Sequence, residues 1–253
     1  MEVYPLKSDF VRQGDSLLTV FSTALSKNNL QLRKNDIVAV SSKIVGISEN
    51  RIRSLNEARP TVDARALARK FSLDPSFSQL VLDEADIIVG GVKGALLTIK
   101  NGNAVANAGI DRKNAPGDSV VLWPKNPDLS ARNLRRRIKK RFGKDVAVLI
   151  VDSRVTPMRL GTTGLAIGLS GFRPVEDVRG TRDISGRTVE ITLRAVADGI
   201  AATAQLVMGE AAERNPFVVI RGGPIRIVKG ESIRRARLPW NQCLYMSQVN
   251  KDN

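Results

Sequence analysis

The 253-residue chain contains no histidine and a single cysteine. The first absence removes Ser-His-Asp and Cys-His catalysis together with any histidine-bound zinc or haem. The second leaves Cys243 without an intramolecular disulfide partner and forbids a cysteine metal cluster. Aromatic residues make up only 4 % of the chain, too few for an evident base-stacking platform. Neither the phosphate loop GxxxxGK[ST] nor the dinucleotide fingerprint GxGxxG occurs, and no zinc finger or RNA-recognition pattern is found. No apolar run approaches the length of a membrane span. The opening MEVYPLKSDF lacks the basic-then-apolar layout of a secretion signal. With one lone thiol, the expected location is cytoplasmic. What remains for chemistry is carboxylates, hydroxyls, lysines, arginines and backbone amides, an inventory that suits a hard, oxygen-liking metal and an anionic substrate.

Positive charge is abundant. Lys and Arg number 40 against 25 Asp and Glu, a formal net charge of +15. The hydrophobic (42 %) and charged (26 %) fractions are those of an ordinary globular protein, so disorder is not expected. The densest basic block, Arg132 to Lys144, carries eight basic residues and no acid. Ala131, Leu134, Ile138 and Phe142 recur within it at helical spacing, with Ser130 placed to cap its start and Gly143 to end it. Such a face either is solvated or binds an anionic partner such as RNA or polyphosphate. A second basic cluster lies at Arg234, Arg235 and Arg237.

Periodicity predicts helices over residues 15–25, 61–71 and 195–208, the second with Val62, Ala66 and Leu67 facing inward. Short apolar runs predict strands at 37–40, 87–89, 95–99, 146–151, 165–169 and 217–220, with a hairpin turn at Asn101 and Gly102. The mixture lacks strict alternation, so the expected class is α+β, or a mixed-sheet α/β fold, with packed helices. Residues 1–247 are read as one unit, undivided or built of two interleaved subdomains, and 248–253 as a frayed tail.

Three clusters carry candidate chemistry. In the first, Asn107 to Asn114 places Asp111 and Asn114 three apart ahead of a Pro-Gly loop, as hard-metal and phosphate contacts or as an Asx turn. In the second, Asp152 and Ser153 follow a buried strand, where open sheets commonly bind ligands. Arg159 and the small residues Gly161, Thr162, Thr163 and Gly164 come after them and form either a phosphate-cradling or a plain loop. The third is Met208, Gly209 and Glu210, closing an Ala-rich helix, a further site carboxylate or a surface glutamate.

Taken in order, these segments resemble the F420-0:gamma-glutamyl ligases of coenzyme F420 biosynthesis. The resemblance runs from Lys7 to Gly223. It rests on GDSL (14–17), SSKIV (41–45), NAGID (107–111) with Asn114, WPKNPDLSA (123–131), VDS with Pro157 and Arg159, and LAIGLSG (165–171). RG with Asp183 and Arg187, AVAD (195–198), LVMGE (206–210) and VVIRG (218–222) complete it.

The resemblance implies a reaction: GTP-dependent joining of L-glutamate to the lactyl carboxylate of F420-0 through an acyl phosphate. It implies Mg2+ or Mn2+, two ions, an assisting K+, and a homodimer. Metal ligands carry over to Asp111, Asp152, Ser153 and Glu210. Nucleotide contacts carry over to Pro5, Leu6, Lys7, Ser8, Ser42, Lys43, Asn114 and Leu206, Val207, Met208, Gly209 and Glu210, with Lys43 and Arg159 pairing with phosphates as the catalytic cations. Arg112, Lys113, Thr156, Met158 and Gly199 depart from the family pattern, which leaves open a related ligase with another carboxylate acceptor. A non-catalytic basic protein that binds RNA or polyphosphate on the same scaffold is the rival from another class.

Overall fold

The structure is a computed structural model and describes residues 1–113, 115 and 117–249. Its central sheet has five strands in the order β1 (Glu2–Leu6), β12 (Phe217–Arg221), β2 (Ile37–Ser41), β8 (Ala147–Val155) and β9 (Thr162–Ser170). Only the β2–β8 pair is parallel; the other three neighbours are antiparallel. Because strand side chains alternate, the central strands feed two cores. Val38, Val40, Val148 and Ile150 face α1 (Leu17–Lys27) and α5 (Pro127–Phe142). Ile37, Ala39, Leu149 and Val151 face α6 (Val196–Met208).

The segment between β2 and α5 builds a smaller body. It holds α2 (Ser42–Ser48), α3 (Val62–Phe71) and α4 (Pro75–Glu84), the hairpins β4 (Ile87–Val92), β5 (Ala95–Lys100) and β6 (Asn103–Ala106), and the pair β3 (Ile52–Ser54) and β7 (Ser119–Val121). Its own core joins Phe71, Phe77, Val81, Leu96, Val120 and Leu122. A two-stranded ribbon, β10 (Glu176–Asp177) and β11 (Leu193–Arg194), stands apart. The mixed α/β class expected from the sequence is what the chain adopts. Asn101 and Gly102, both at positive φ, make the anticipated hairpin turn between β5 and β6.

Several expectations need correction. In α3 the inward stripe is Ala64, Ala68 and Phe71. Val62 is exposed and Ala66 lies on the outer face, because they stand two residues from that stripe in a helix that Thr61 caps. Helix α5 starts a turn earlier than predicted: Asn126 accepts the Leu129 N–H and Pro127 fills the first turn, leaving Ser130 inside the helix. Strand β8 does not end at Val151. Asp152 and Ser153 continue it, opposite Leu165 and Gly164, so Thr162, Thr163 and Gly164 form a strand instead of a loop. Gly164 must lack a side chain, since a Cβ there would lie 2.2 Å from the Ala201 carbonyl oxygen of α6.

Candidate active site

The site forms where the parallel pairing of β2 with β8 stops. The last pair is Ser41 with Val151. One residue further on, β2 turns into α2 and β8 continues alone with β9. Ser42 and Lys43, the first two residues of α2, each reach one acid. The Ser42 hydroxyl donates to Asp152 Oδ1 at 2.9 Å. Lys43 Nζ lies 2.8 Å from Asp111 Oδ2, with both side chains partly exposed. Asp111 is fixed by a pair of backbone hydrogen bonds to Val121, 2.9 and 2.8 Å, at the end of the β7 strand. Two acids from segments 41 residues apart are thus drawn to neighbouring positions by consecutive residues of a third.

Sequence reasoning missed Trp123. Its indole N–H donates to Asp152 Oδ2, and the side chain is buried. The ring lies against Gly109, where an added Cβ would stand 2.2 Å from Nε1. A signal was present, because Gly109 sits inside NAGID and Trp123 is one of two tryptophans. Nothing in spacing, however, tells that the two touch. Arg51 holds Trp123 from behind: its Nε–H donates to the Trp123 carbonyl at 3.0 Å while Nη2 grips both Glu84 carboxylate oxygens at 2.7 and 2.8 Å.

Burial pushes the Asp152 carboxyl up to about 6; the Ser42, Trp123 and backbone hydrogen bonds pull against this, and the neighbouring Asp111 carboxylate adds to it. Asp152 therefore has neutral hydrogen-bond donors and, among the described residues, no ion-pair partner. Glu210 differs. Burial alone would raise it, but hydrogen bonds from Gln205, Lys113 and Ser153 hold it below the usual glutamate value. Its oxygens meet Gln205 Nε2 at 2.8 Å, Lys113 Nζ at 3.3 Å and Thr162 Oγ1 at 3.4 Å.

The remaining candidates are placed as follows. Leu6 pairs with Phe217 and Phe217 with Val40, so Pro5, Leu6, Lys7 and Ser8 run toward the same sheet end as Ser42. Asn28 clasps the Lys7 backbone on both sides, and the Ser8 N–H donates to the Arg214 carbonyl at 3.0 Å. Leu206, Val207 and Met208 form the last turn of α6, with Leu206 exposed and Met208 buried, and Gly209 ends the helix at φ 75°. Arg159 is exposed in the turn joining β8 to β9. Asn114 lies outside the described residues. Asp128, by contrast, is structural: it accepts the Leu169 and Ile233 N–H groups and the Ser232 hydroxyl.

Chemically, Asp111, Asp152 and Ser153 offer oxygen donors of the kind that suits a hard divalent cation. Among the described residues, no three histidine, cysteine or carboxylate side chains close into a metal cage. Glu210 reaches the pair through Ser153 and does not complete such a cluster. Also among the described residues, no helix is long and apolar enough to cross a membrane.

The pattern of the family described as F420-0:Gamma-glutamyl ligase matches residues 5–222. A protein named coenzyme F420:L-glutamate ligase from Methanopyrus kandleri is 38 % identical over 238 residues, covering 94 % of this chain and 92 % of that relative. Its namesake from Archaeoglobus fulgidus is 37 % identical over 223 residues, 88 % of each chain. A third, from Methanothermobacter thermautotrophicus, is 37 % identical over 215 residues, 85 % of each. The match spans the central sheet, the smaller body and every segment that meets at the paired acids, and on that ground the chain belongs to the F420-0:gamma-glutamyl ligase family of enzymes.

Proposed function

We propose that this chain joins L-glutamate to the lactyl carboxylate of F420-0, using GTP and Mg2+ or Mn2+. The observation that carries the reading is the convergence of Asp111 and Asp152 on Ser42 and Lys43. The acceptor carboxylate attacks the γ-phosphorus and GDP leaves; the glutamate amine then attacks the acyl carbon and phosphate leaves. Such transfer depends on positioning and charge neutralisation more than on a nucleophilic side chain, which suits a histidine-free chain.

Asp111, Asp152 and Ser153 are the residues we assign to the divalent ion. The fit rests on Asp152, a buried acid raised to about 6 with no ion-pair partner among the described residues, beside a second carboxylate. Mg2+ is commonly held by one or two carboxylates together with substrate phosphates, so a two-carboxylate site matches it better than a closed protein cage would. When bound, the ion would neutralise charge on the transferring phosphoryl group. Lys43 holds Asp111 in place and brings an ammonium to the phosphates; Arg159, exposed on the β8–β9 turn, is the second cation assigned to them. Lys7, Ser8 and the end of α6 are the segments assigned to GTP. A second ion, a K+ and a homodimer complete the reading.

One departure from the family pattern touches this constellation: Lys113 pairs with Glu210. Incubating the purified chain with GTP, Mn2+, glutamate and F420-0 tests the proposal. Glutamylated product and stoichiometric GDP are expected, and both should vanish in Asp152→Ala. If GDP and product form only with another carboxylate acceptor, the acceptor assignment is wrong. If Asp152→Ala retains turnover, the metal assignment is wrong.

A further inference from the structure

A groove of about 240 Å3 opens well away from the paired acids, lined by Arg132, Arg135, Arg136, Lys139, Asp145, Ser170 and Lys229. On β9, Ser170 lies five residues beyond Leu165, the partner of Asp152. At about 3.4 Å per residue that is roughly 17 Å from the ligase site. Five cations and one carboxylate line it. Asp145 is already engaged by two of them, Arg135 at 2.7 Å and Lys139 at 3.2 Å. Arg132, Arg136 and Lys229 are exposed and have no carboxylate partner among the described residues.

The groove has a fixed wall. Arg135 Nε donates to the Val146 carbonyl at 2.7 Å. Its guanidinium occupies space that Gly171 leaves open, since a Cβ there would lie 2.8 Å from Arg135 Nε. The cationic surface is therefore anchored at Arg135. Beyond the groove, Arg137, Lys140, Arg141 and Lys144 extend the positive surface along and past α5, all of them exposed. A single small anion would leave most of this charge unmatched, whereas a linear chain of phosphates would meet it along its length. A second copy of the chain is a poor occupant, because a two-fold contact would set the patch against itself. Aromatic residues are absent from the lining, so stacking cannot read bases.

We propose that this groove and the exposed face of α5 bind the phosphodiester backbone of a nucleic acid without regard to base sequence, as a second site independent of the ligase centre. The probe is a fluorescent single strand of roughly 20 nucleotides, as RNA and as DNA of the same sequence, titrated with the full chain between about 50 and 200 mM salt. The two arms identify the source of the backbone; binding of either one supports the proposal.

Replacing Arg132, Arg136 and Lys229 together by Gln should weaken binding at least tenfold and flatten the log–log salt slope by about 2, near 0.7 per lost phosphate contact. The variant should keep its melting temperature and its ligase turnover. Lys229→Gln alone, on a separate segment, should flatten the slope in the same direction and guards against misfolding of the triple variant. A control that removes the same charge elsewhere, Arg65, Arg69 and Lys93 to Gln, should bind within twofold of the parent. Equal loss in that control would show a mere net-charge effect and overturn the proposal. So would absence of binding up to about 100 µM of either strand at the lowest salt, or complete displacement by equimolar tripolyphosphate.

Discussion

Trp123 and Asp152 meet across Gly109: the indole N–H donates to the acid, and the ring occupies the space a side chain at 109 would fill. This contact makes a glycine a determinant of the candidate site although it carries no chemistry. Gly109 also sits at φ 70°, in the region that disfavours other residues. Gly109→Ala is expected to displace the indole and to cost about 2 kcal/mol or more, since both the strain and the clash must be relieved. Ligase turnover should fall with it, and Trp emission should change. Trp123→Phe is the milder probe. It keeps most of the packing, removes one donor to the ionised acid, and should move the acidic limb of the pH–rate profile upward. An unmoved profile would mean that Asp152 is not the titrating group.

Lys43 is expected to matter for turnover far more than for folding. Its pair with Asp111 is part-exposed, with 22 % and 34 % of the two side chains accessible. A pair so placed contributes about 1 kcal/mol or less to stability. Lys43→Met should therefore keep the melting temperature within a few degrees while ligation drops by about a thousandfold, as loss of a phosphate-facing cation does. A large stability loss with activity retained would make the lysine structural.

Asp152 predicts a pH-dependent stability of its own. Its folded value, about 6, lies above the ordinary 3.8, so ionising it opposes folding. That penalty is absent below pH 4, grows as the pH rises through the interval, and is complete above 6, at most on the order of 2–3 kcal/mol. In chelator-treated protein, Asp152→Asn should raise stability at pH 8 and leave it unchanged at pH 4. The asparagine oxygen can still accept from Trp123 while its amide donates to Ser42. Denaturant titrations at both pH values decide this; a gain independent of pH would mean the acid is not held in the way described.

How the site is assembled was partly legible. The run Ile37 to Val40 ending in two serines and a lysine signals a strand that delivers polar groups at its end, and it does so through Ser42 and Lys43. The extension of β8 through Asp152 and Ser153 was not legible. Polar residues make a poor strand by themselves, and here the ladder from β9 holds them extended. Val62 misled because a half-turn error in helix phase moves an apolar residue from core to solvent, and nothing in ten residues with five other small or apolar positions fixes the phase. Trp123 and Arg51 were invisible for a different reason: their roles come from contacts between segments far apart, which periodicity cannot report.

Large apolar side chains left in solvent motivate the homodimer. Met158, Leu160, Ile184 and Ile191 are almost fully exposed, and Val155 and Leu193 are about half exposed. Val155, Met158 and Leu160 lie at the β8–β9 turn, and Leu193 lies on the β10–β11 ribbon, whose two strands pair with each other and, among the described residues, with no other strand. If a second copy covers these segments, sedimentation should give twice the 27.6 kDa chain mass. Changing Leu160 and Ile184 together to Glu should yield monomers with the fold intact by circular dichroism. A parent chain that sediments as a monomer at all concentrations would remove the dimer from the proposal.

The last expectation concerns the support behind Trp123. Glu84, at the end of α4, receives Arg51 on both oxygens and the Lys100 ammonium on one. Burial alone would raise its carboxyl, but the two cations outweigh it and hold the value below that of an ordinary glutamate. A depressed carboxylate stabilises the fold above its unfolded value of 4.5, and that contribution is lost as the pH falls through the lower folded value. Glu84→Gln leaves two largely buried cations without their counter-charge, which costs about 3 kcal/mol. At pH 7 the variant should lose that much in urea titrations, and the gap from the parent should close progressively below pH 4.5. Because Arg51 also holds the Trp123 carbonyl, the same variant should raise the accessibility of Trp123 to a neutral quencher. A stability loss without any change at the tryptophan would sever the smaller body's core from the site it is argued to brace.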